Sequence, residues 1–488
     1  MPVDLTKPAD QVDFGAAAYQ PMLERLQANI VKSHGRDESR HVFLKFTGSA
    51  PKVRQWIREK IAPRVLSAKL QLEQSSQKIE GGLVVLFYLS AEGYRYLGFD
   101  PARLGSRIFR KGMKHQGSDL IKELFDTDNK DPKPATWEKG FRSTIHAMVS
   151  LADDQKKDST ALLNEVSLLK AQTAGIAEVL LVDEGRALRR VARDGTPLAS
   201  PEPIEHFGYF DGISQPLFSR AELDKYYAEG KGTKAPGSWD PGASLELVLE
   251  KDPYVADPEA FGSYLVYRKL YQNYGQFQAR EEACGTAIGQ DEELAGAMAV
   301  GRFEDGTPVV DSEVAGQQYT NDFVFQALDR KGLRCPAHAH VRKVNPRGTT
   351  PSTSLEAERK RRIVRRGIPY GKPVPGLCAP EVPSDPDPAG DRGLLFMCFQ
   401  ANIEKQFEFI QRTWVDNPNF PTNVLNLPTG TDTGDDPLIG QNKSEAQRWP
   451  NKWGDEAAGR TKFNFESAVT LRGGEYFFAP SRPFLASL

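Results

Sequence analysis

His41-Val42-Phe43-Leu44-Lys45-Phe46 reads as a buried strand, and residues 52–61 after it carry their apolar positions at helical spacing. This pair opens a series. Leu83-Val84-Val85-Leu86-Phe87-Tyr88 is a second strand with a short helix at 91–97. Residues 98–143 then interrupt with charge, Gly and Pro, as an insertion does. Order resumes with a strand at 145–151, a helix at 159–171 and a strand at 178–183. Such alternation suits an antiparallel sheet covered by helices on one face. In the second half, strands are expected at 263–270, 338–343, 361–368 and 394–399, with helices within 281–299. A helix at 403–414 would align Ile403, Phe407, Ile410 and Trp414, and strands at 468–471 and 476–479 would close the chain around Arg472-Gly473-Gly474. Residues 372–391, loaded with Pro, Asp and Gly, are a loop. The repetition is architectural, without internal sequence identity, and divides the chain near 205–220 into two α+β domains.

A chain of 488 residues has room for two or three domains. Its formal net charge of -2 lacks the signature of a polyanion binder, so no nucleic-acid partner is expected. Residues 1–20 contain neither a basic leader nor an apolar core, and no run of about 18 apolar residues is present to span a membrane. A cytoplasmic protein without a signal peptide is the expectation. Cys284, Cys335, Cys378 and Cys398 form no CxxC pair, which points to reduced thiols and away from structural zinc.

Three segments carry candidate chemistry. Gly208-Tyr209-Phe210-Asp211-Gly212-Ile213-Ser214-Gln215-Pro216 places one acid between two glycines in an uncharged run. It is either a turn aspartate bonded to its own backbone or a carboxylate fixed for use. Cys335-Pro336-Ala337-His338-Ala339-His340-Val341-Arg342-Lys343 holds two histidines which, on a strand, share a face. They suit a two-histidine, one-carboxylate iron site with Asp211, an axial haem ligand, or plain backbone-satisfied imidazoles. In Arg361-Arg362-Ile363-Val364-Arg365-Arg366-Gly367-Ile368-Pro369-Tyr370-Gly371, alternation groups Arg365 with Ile363 and Gly367. An arginine there is buried against something negative or is solvated at a sheet edge.

Together these segments resemble the dye-decolourising peroxidases, haem enzymes whose distal signature is GxxDG. Similar blocks recur in family order at 207–216, 262–270, 301–308, 335–347, 363–371, 393–421 and 470–481, so the strong resemblance covers about residues 200–488. Residues 28–100 fit more loosely, and the chain is most similar to the larger C/D-type branch. The resemblance implies an α+β fold of two ferredoxin-like domains in the manner of the dimeric α+β barrels, with haem held mainly by the second. The expected division is an arm at 1–38, a first domain at 39–215 that ends in the GxxDG motif, and a haem-binding domain at 216–488.

Residue by residue, the resemblance implies that His340, immediately before Val-Arg-Lys, is the axial ligand of the haem iron. Asp211 is the distal acid and Arg365 the distal arginine. Leu394 and Phe396 line the distal pocket, Arg347 meets a haem propionate, and Asp432 or Asp436 accepts the proximal imidazole N–H. Tyr370 and Trp414 fall where relatives carry radicals for surface electron transfer, and equally read as packing aromatics. The function implied is a peroxidase with one haem b per chain. It would reduce hydrogen peroxide and oxidise dyes, phenolics and other aromatic reductants through a ferryl intermediate, as monomer or dimer. With a carboxylate as base, turnover should extend into acid. The alternatives are a haem- or iron-handling, deferrochelatase-like protein, and a non-haem iron enzyme using His338, His340 and Asp211.

Overall fold

In the computed structural model, the first half of the chain supplies four strands: β1 (Glu38–Phe46), β2 (Val84–Leu89), β3 (Ala147–Asp153) and β4 (Ala177–Arg186). They pair antiparallel in the order β4-β1-β3-β2. The second half supplies β5 (Phe261–Gln272), β6 (Ile368–Tyr370), β7 (Gly393–Gln400) and β8 (Val469–Ala479), in the order β8-β5-β7-β6. Each half therefore lays its fourth strand beside its first, then its third, then its second, which is the ferredoxin-like order. The residues described are 2–77, 82–115, 130–154, 160–191, 202–317, 320–350, 354–379, 382–421, 433–441 and 446–488.

The two half-sheets close on each other. Leu89 of β2 pairs with Phe478 of β8, and Gly185 of β4 pairs with Tyr370 of β6. The eight strands thus form one barrel, closed by two narrow seams. At the first seam the buried side-chain amide of Gln27 replaces a missing strand neighbour. It accepts from Phe87 N–H at 3.0 Å and donates to the Phe87 and Pro480 carbonyls, both at 2.8 Å. Phe43 inside the barrel meets Phe141, Tyr267 and Phe477, from both halves. The main apolar core runs from Val12 to Leu488, with two smaller clusters beside it among the described residues, so the two ferredoxin-like units share one interior.

The helical layer includes α1 (Ala161–Gln172), α2 (Tyr274–Ile288), α3 (Glu292–Val300) and the five-residue α4 (His340–Val344). Several sequence expectations are corrected here. Residues 338–343 were expected as a strand, yet His340 to Val344 form a helical turn. Their side chains radiate in different directions, with Val341 on the cavity wall, Arg342 donating to the Cys335 carbonyl and Lys343 to carbonyls of another segment. The expected strand at 361–368 is reduced to Val364–Arg365, separated by Arg366 and Gly367 from β6. The helix expected at 403–414 becomes one α-turn, Phe407–Phe409, and a π-turn, Ile410–Val415. The backbone at Gln406 is non-helical, with φ -121° and ψ -91°, and its side-chain amide is tied to the carbonyls of Leu247 and Arg362 and to Asn402 N–H. The two closing strands are one, with a bulge between Leu471 and Gly473.

Candidate active site

Between the loop at 205–216, β7, α3, α4 and the π-turn lies a cavity of about 280 Å³. Its wall is mostly apolar, with Leu394, Phe396, Phe407 and Ile439 among the residues facing it, and its polar groups include members of all three segments singled out in the sequence. His340, Asp211, Arg365, Arg347, Leu394 and Phe396 all border it.

His340 opens α4, and its Nδ1 donates to Asp436 Oδ2 at 2.8 Å. Asp436 is buried, and its other oxygen accepts from the N–H groups of Leu438 at 2.8 Å and Ile439 at 3.0 Å. The carboxylate is thereby fixed by a turn of its own backbone, and the imidazole is fixed by the carboxylate. With Nδ1 engaged, Nε2 is the ring atom left for the cavity. Of the two acids expected behind His340, Asp436 is the one in place; Asp432 lies outside the described residues.

Asp211 stands in a loop whose glycines have φ of 99° at Gly208 and 92° at Gly212, a region that favours glycine. Its Oδ1 accepts from Gly212 N–H at 2.7 Å, so the turn reading of this aspartate holds. The same oxygen also accepts from Arg365 Nη1 at 2.7 Å. Arg365 is itself oriented, since its N–H donates to Gln215 Oε1 at 3.1 Å and its Nη2 to the Ser214 carbonyl at 3.3 Å. The acid and the arginine, 154 positions apart in sequence, form one ion pair at the cavity wall. Both side chains retain partial exposure, 28% for Asp211 and 35% for Arg365, so the pair faces space a reactant can enter.

Arg347 is fully buried and donates to the Asn321 and Phe323 carbonyls, while its Nε has no partner. Arg362, which the sequence reading left without a role, also borders the cavity and donates to the carbonyls of Pro241 and Gly242. Neither has a carboxylate partner among the described residues. Burial pushes both guanidinium groups down to about 9, aided by Arg302 beside Arg347 and by Arg359 beside Arg362. One buried and one half-buried cation facing an apolar cavity call for negative charge from whatever occupies it. Haem, a flat apolar ring bearing two carboxylates and an iron that takes an imidazole, meets that requirement. These residues fit it.

The remaining expectations separate. His338 is buried away from the cavity, 4.3 Å centroid to centroid from Trp449, and burial holds its imidazole well below the usual range. Among the described residues no cluster of three or more His, Cys, Asp or Glu side chains suits a bare metal ion. The two-histidine iron site is therefore not assembled. Tyr370 and Trp414, open to either a surface electron-transfer or a packing role from the sequence, are both buried. Tyr370 lies beneath the Lys269 ammonium at 4.9 Å, and Trp414 stacks on Phe420 at 5.4 Å. The four cysteines are unpaired thiols, as expected. Among the described residues no helix is long and apolar enough to cross a membrane.

Comparison with known proteins agrees with this geometry. Residues 248–429 match the family model described as Dyp-type peroxidase, C-terminal. The multifunctional dye peroxidase DyP2 of Amycolatopsis sp. is 38% identical over 503 residues, covering 100% of both chains. This chain belongs to the dye-decolourising, Dyp-type peroxidase family. A dye-decolorizing peroxidase of Mycetinis scorodonius is 31% identical over 414 residues, covering 80% of this chain and 74% of its own. The crystal structure of a DyP-type peroxidase from Anabaena sp. superposes with a TM-score of 0.85 at 38% identity, covering 99% of this chain and 98% of that one. The peroxidase described here is accordingly a haem-dependent enzyme with the family's two-unit α+β fold.

Proposed function

We propose that this peroxidase binds one haem b per chain, with His340 as axial ligand, and uses Asp211 and Arg365 to reduce hydrogen peroxide at the expense of dyes, phenolics and other aromatic reductants. The observation that carries this reading is that one cavity is bordered both by His340, bonded to Asp436 at 2.8 Å, and by Arg365, bonded to Asp211 at 2.7 Å. Haem, when bound, supplies the redox-active iron at which the O–O bond is cleaved. Asp436 holds the His340 tautomer that offers Nε2 and makes that nitrogen more basic. Arg347 and Arg362 receive the carboxylates of the cofactor.

Asp211 takes a proton from the inner oxygen of hydrogen peroxide and returns it to the outer one, which departs as water. Arg365 stays charged through this exchange and stabilises negative charge on the departing oxygen. The Ser214 carbonyl keeps the guanidinium aimed and Gln215 holds the Arg365 backbone, so the pair needs little reorganisation as charge develops. Leu394 and Phe396 narrow the cavity to small molecules, and bulky dyes give up their electrons from outside it. The border between the two units falls at 215 and 216 on this reading, so the end of the first unit delivers the acid to the cavity of the second. The curated relatives are named as peroxidases, which favours peroxide chemistry over removal of iron from haem.

The test is the absorption spectrum of the haem-loaded protein before and after one equivalent of hydrogen peroxide, for wild type, His340→Ala and Asp211→Asn. A Soret band that shifts on peroxide is expected, lost or displaced in His340→Ala. In Asp211→Asn the same shift should slow by about 10²-fold or more. A protein that takes up no haem, or a His340→Ala spectrum identical to wild type, would sink the proposal. An Asp211→Asn variant as fast as wild type would remove Asp211 from the base role and make Arg365 the next residue to test.

A further inference from the structure

The loop that carries Asp211 leaves the short strand Pro203–Ile204 and bridges back to it at Phe210, and side chains determine the path between. Its organising group is a carboxylate six positions earlier. Glu205 Oε2 accepts from Phe207 N–H at 3.0 Å, and Glu205 Oε1 accepts from Tyr209 N–H at 3.0 Å. The backbone closes around the same residue, with Glu205 N–H donating to the Tyr209 carbonyl at 3.2 Å and Gly208 N–H to the Glu205 carbonyl at 3.0 Å. Gln272, at the end of β5, donates its side-chain amide to Glu205 Oε2 and so ties this knot to the barrel. Beyond the knot, Phe210 N–H donates to the Glu304 carbonyl at 3.0 Å, and Asp211 N–H to the Pro203 carbonyl at 2.9 Å.

Asp211 itself is held by less. Its side chain accepts from Arg365 and from its own neighbour Gly212. The place of its carboxylate therefore follows from the path of the loop. Glu205 borders the same cavity, and burial pushes its carboxyl up to about 7 despite three donors. Such a group costs stability where it is, and an apolar side chain would serve the core better. What the carboxylate secures is the turn.

We propose that Glu205 is a positioning residue for the peroxide step: its carboxylate, bonded to Phe207, Tyr209 and Gln272, fixes the loop that sets Asp211 against Arg365. The proposal rests on the role given above to Asp211. Its test uses the haem-loaded full chain and the bimolecular rate of the peroxide-induced Soret shift, in wild type, Glu205→Ala, Glu205→Gln, Asp211→Asn and the double variant Glu205→Ala/Asp211→Asn. Glu205→Ala should slow the peroxide reaction at least tenfold. Glu205→Gln, which keeps one acceptor oxygen and turns the other into a donor, can serve only one of the two backbone N–H groups and should recover only part of the rate.

The double variant should be no slower than Asp211→Asn alone, because a residue acting through Asp211 has nothing left to position. Haem uptake and Soret position before peroxide should match wild type in both single Glu205 variants, a readout independent of turnover. Additive losses in the double variant, or a Glu205→Ala enzyme as fast as wild type, would overturn the proposal. Should Glu205→Ala not fold, Gln272→Ala decides, because it releases the knot from β5 and should slow the same step; an unchanged rate there overturns the proposal equally. If Asp211→Asn itself reacts at the wild-type rate, it is the reading of Asp211 that fails. If only the Glu205 variants do so, that reading stands and this inference falls.

Discussion

His41, on β1, has both ring nitrogens engaged inside the barrel, Nε2 with Ser39 Oγ at 3.1 Å and Nδ1 with Ser150 Oγ at 2.8 Å. Burial, helped by His34 and Arg40, pushes the imidazole down from 6.5 to about 3. The unfolded ring binds its proton first as pH falls, so the stability this group contributes is present above ~6.5 and is lost from there toward ~3. At pH 4.5 the loss should reach about 2–3 kcal/mol. A glutamine there can bond both serines without titrating, so the urea midpoint of His41→Gln should drop less than wild type between pH 7 and 4.5. Equal drops would remove His41 from the acid response. At this scale the sequence was most readable where a motif fixed a residue's neighbours: Asp211, His340 and Arg365 were all found within their segments. Arg362 and Glu205 were not, because each looks like one more charged residue. Their meaning comes from partners far off in sequence, the Pro241 and Gly242 carbonyls for one and Gln272 for the other.

The element that presents His340 is a single turn, too short to be stable by helix propensity alone. Lys343 anchors it. Its buried ammonium donates to the carbonyls of Trp414 at 3.2 Å, Asn417 at 2.7 Å and Phe420 at 2.8 Å, joining α4 to the π-turn and the chain beyond. Burial pulls this ammonium down to about 8, against the nearby acids Asp435, Asp436 and Asp416. Lys343→Met would preserve bulk and strand these carbonyls, for a loss of roughly 2–4 kcal/mol by chemical denaturation. Because α4 carries the imidazole, haem affinity should fall with it. A variant that kept both wild-type stability and haem affinity would show that the turn holds without its lysine. The sequence suggested a strand here because alternation over six residues cannot separate an extended segment from a turn whose side chains radiate. The long strands β1, β5 and β7 were readable because their apolar runs exceed that ambiguity.

Alternation of strands and helices gave the two α+β units, but nothing in it told how they meet. That depends on two single-pair seams, Leu89 with Phe478 and Gly185 with Tyr370, and no local pattern announces them. The shared core has a thermodynamic counterpart. Tryptophan fluorescence, from Trp56 and Trp137 in one half and Trp239, Trp414, Trp449 and Trp453 in the other, should change in the same transition as loss of the Soret band.

Gln27 gives the seam a further role. A strand whose outer N–H and C=O groups face nothing invites any extended segment to pair with it, from this molecule or another. By occupying both groups of Phe87, the Gln27 amide denies β2 to such a visitor. Gln27→Ala should therefore lower the temperature at which warmed protein begins to scatter light, by more than it lowers the unfolding midpoint. A shift of the two by the same amount would mean that the side chain stabilises the seam and guards nothing. In the first case one buried amide, remote from the cofactor cavity, sets how concentrated a solution of this enzyme survives heating.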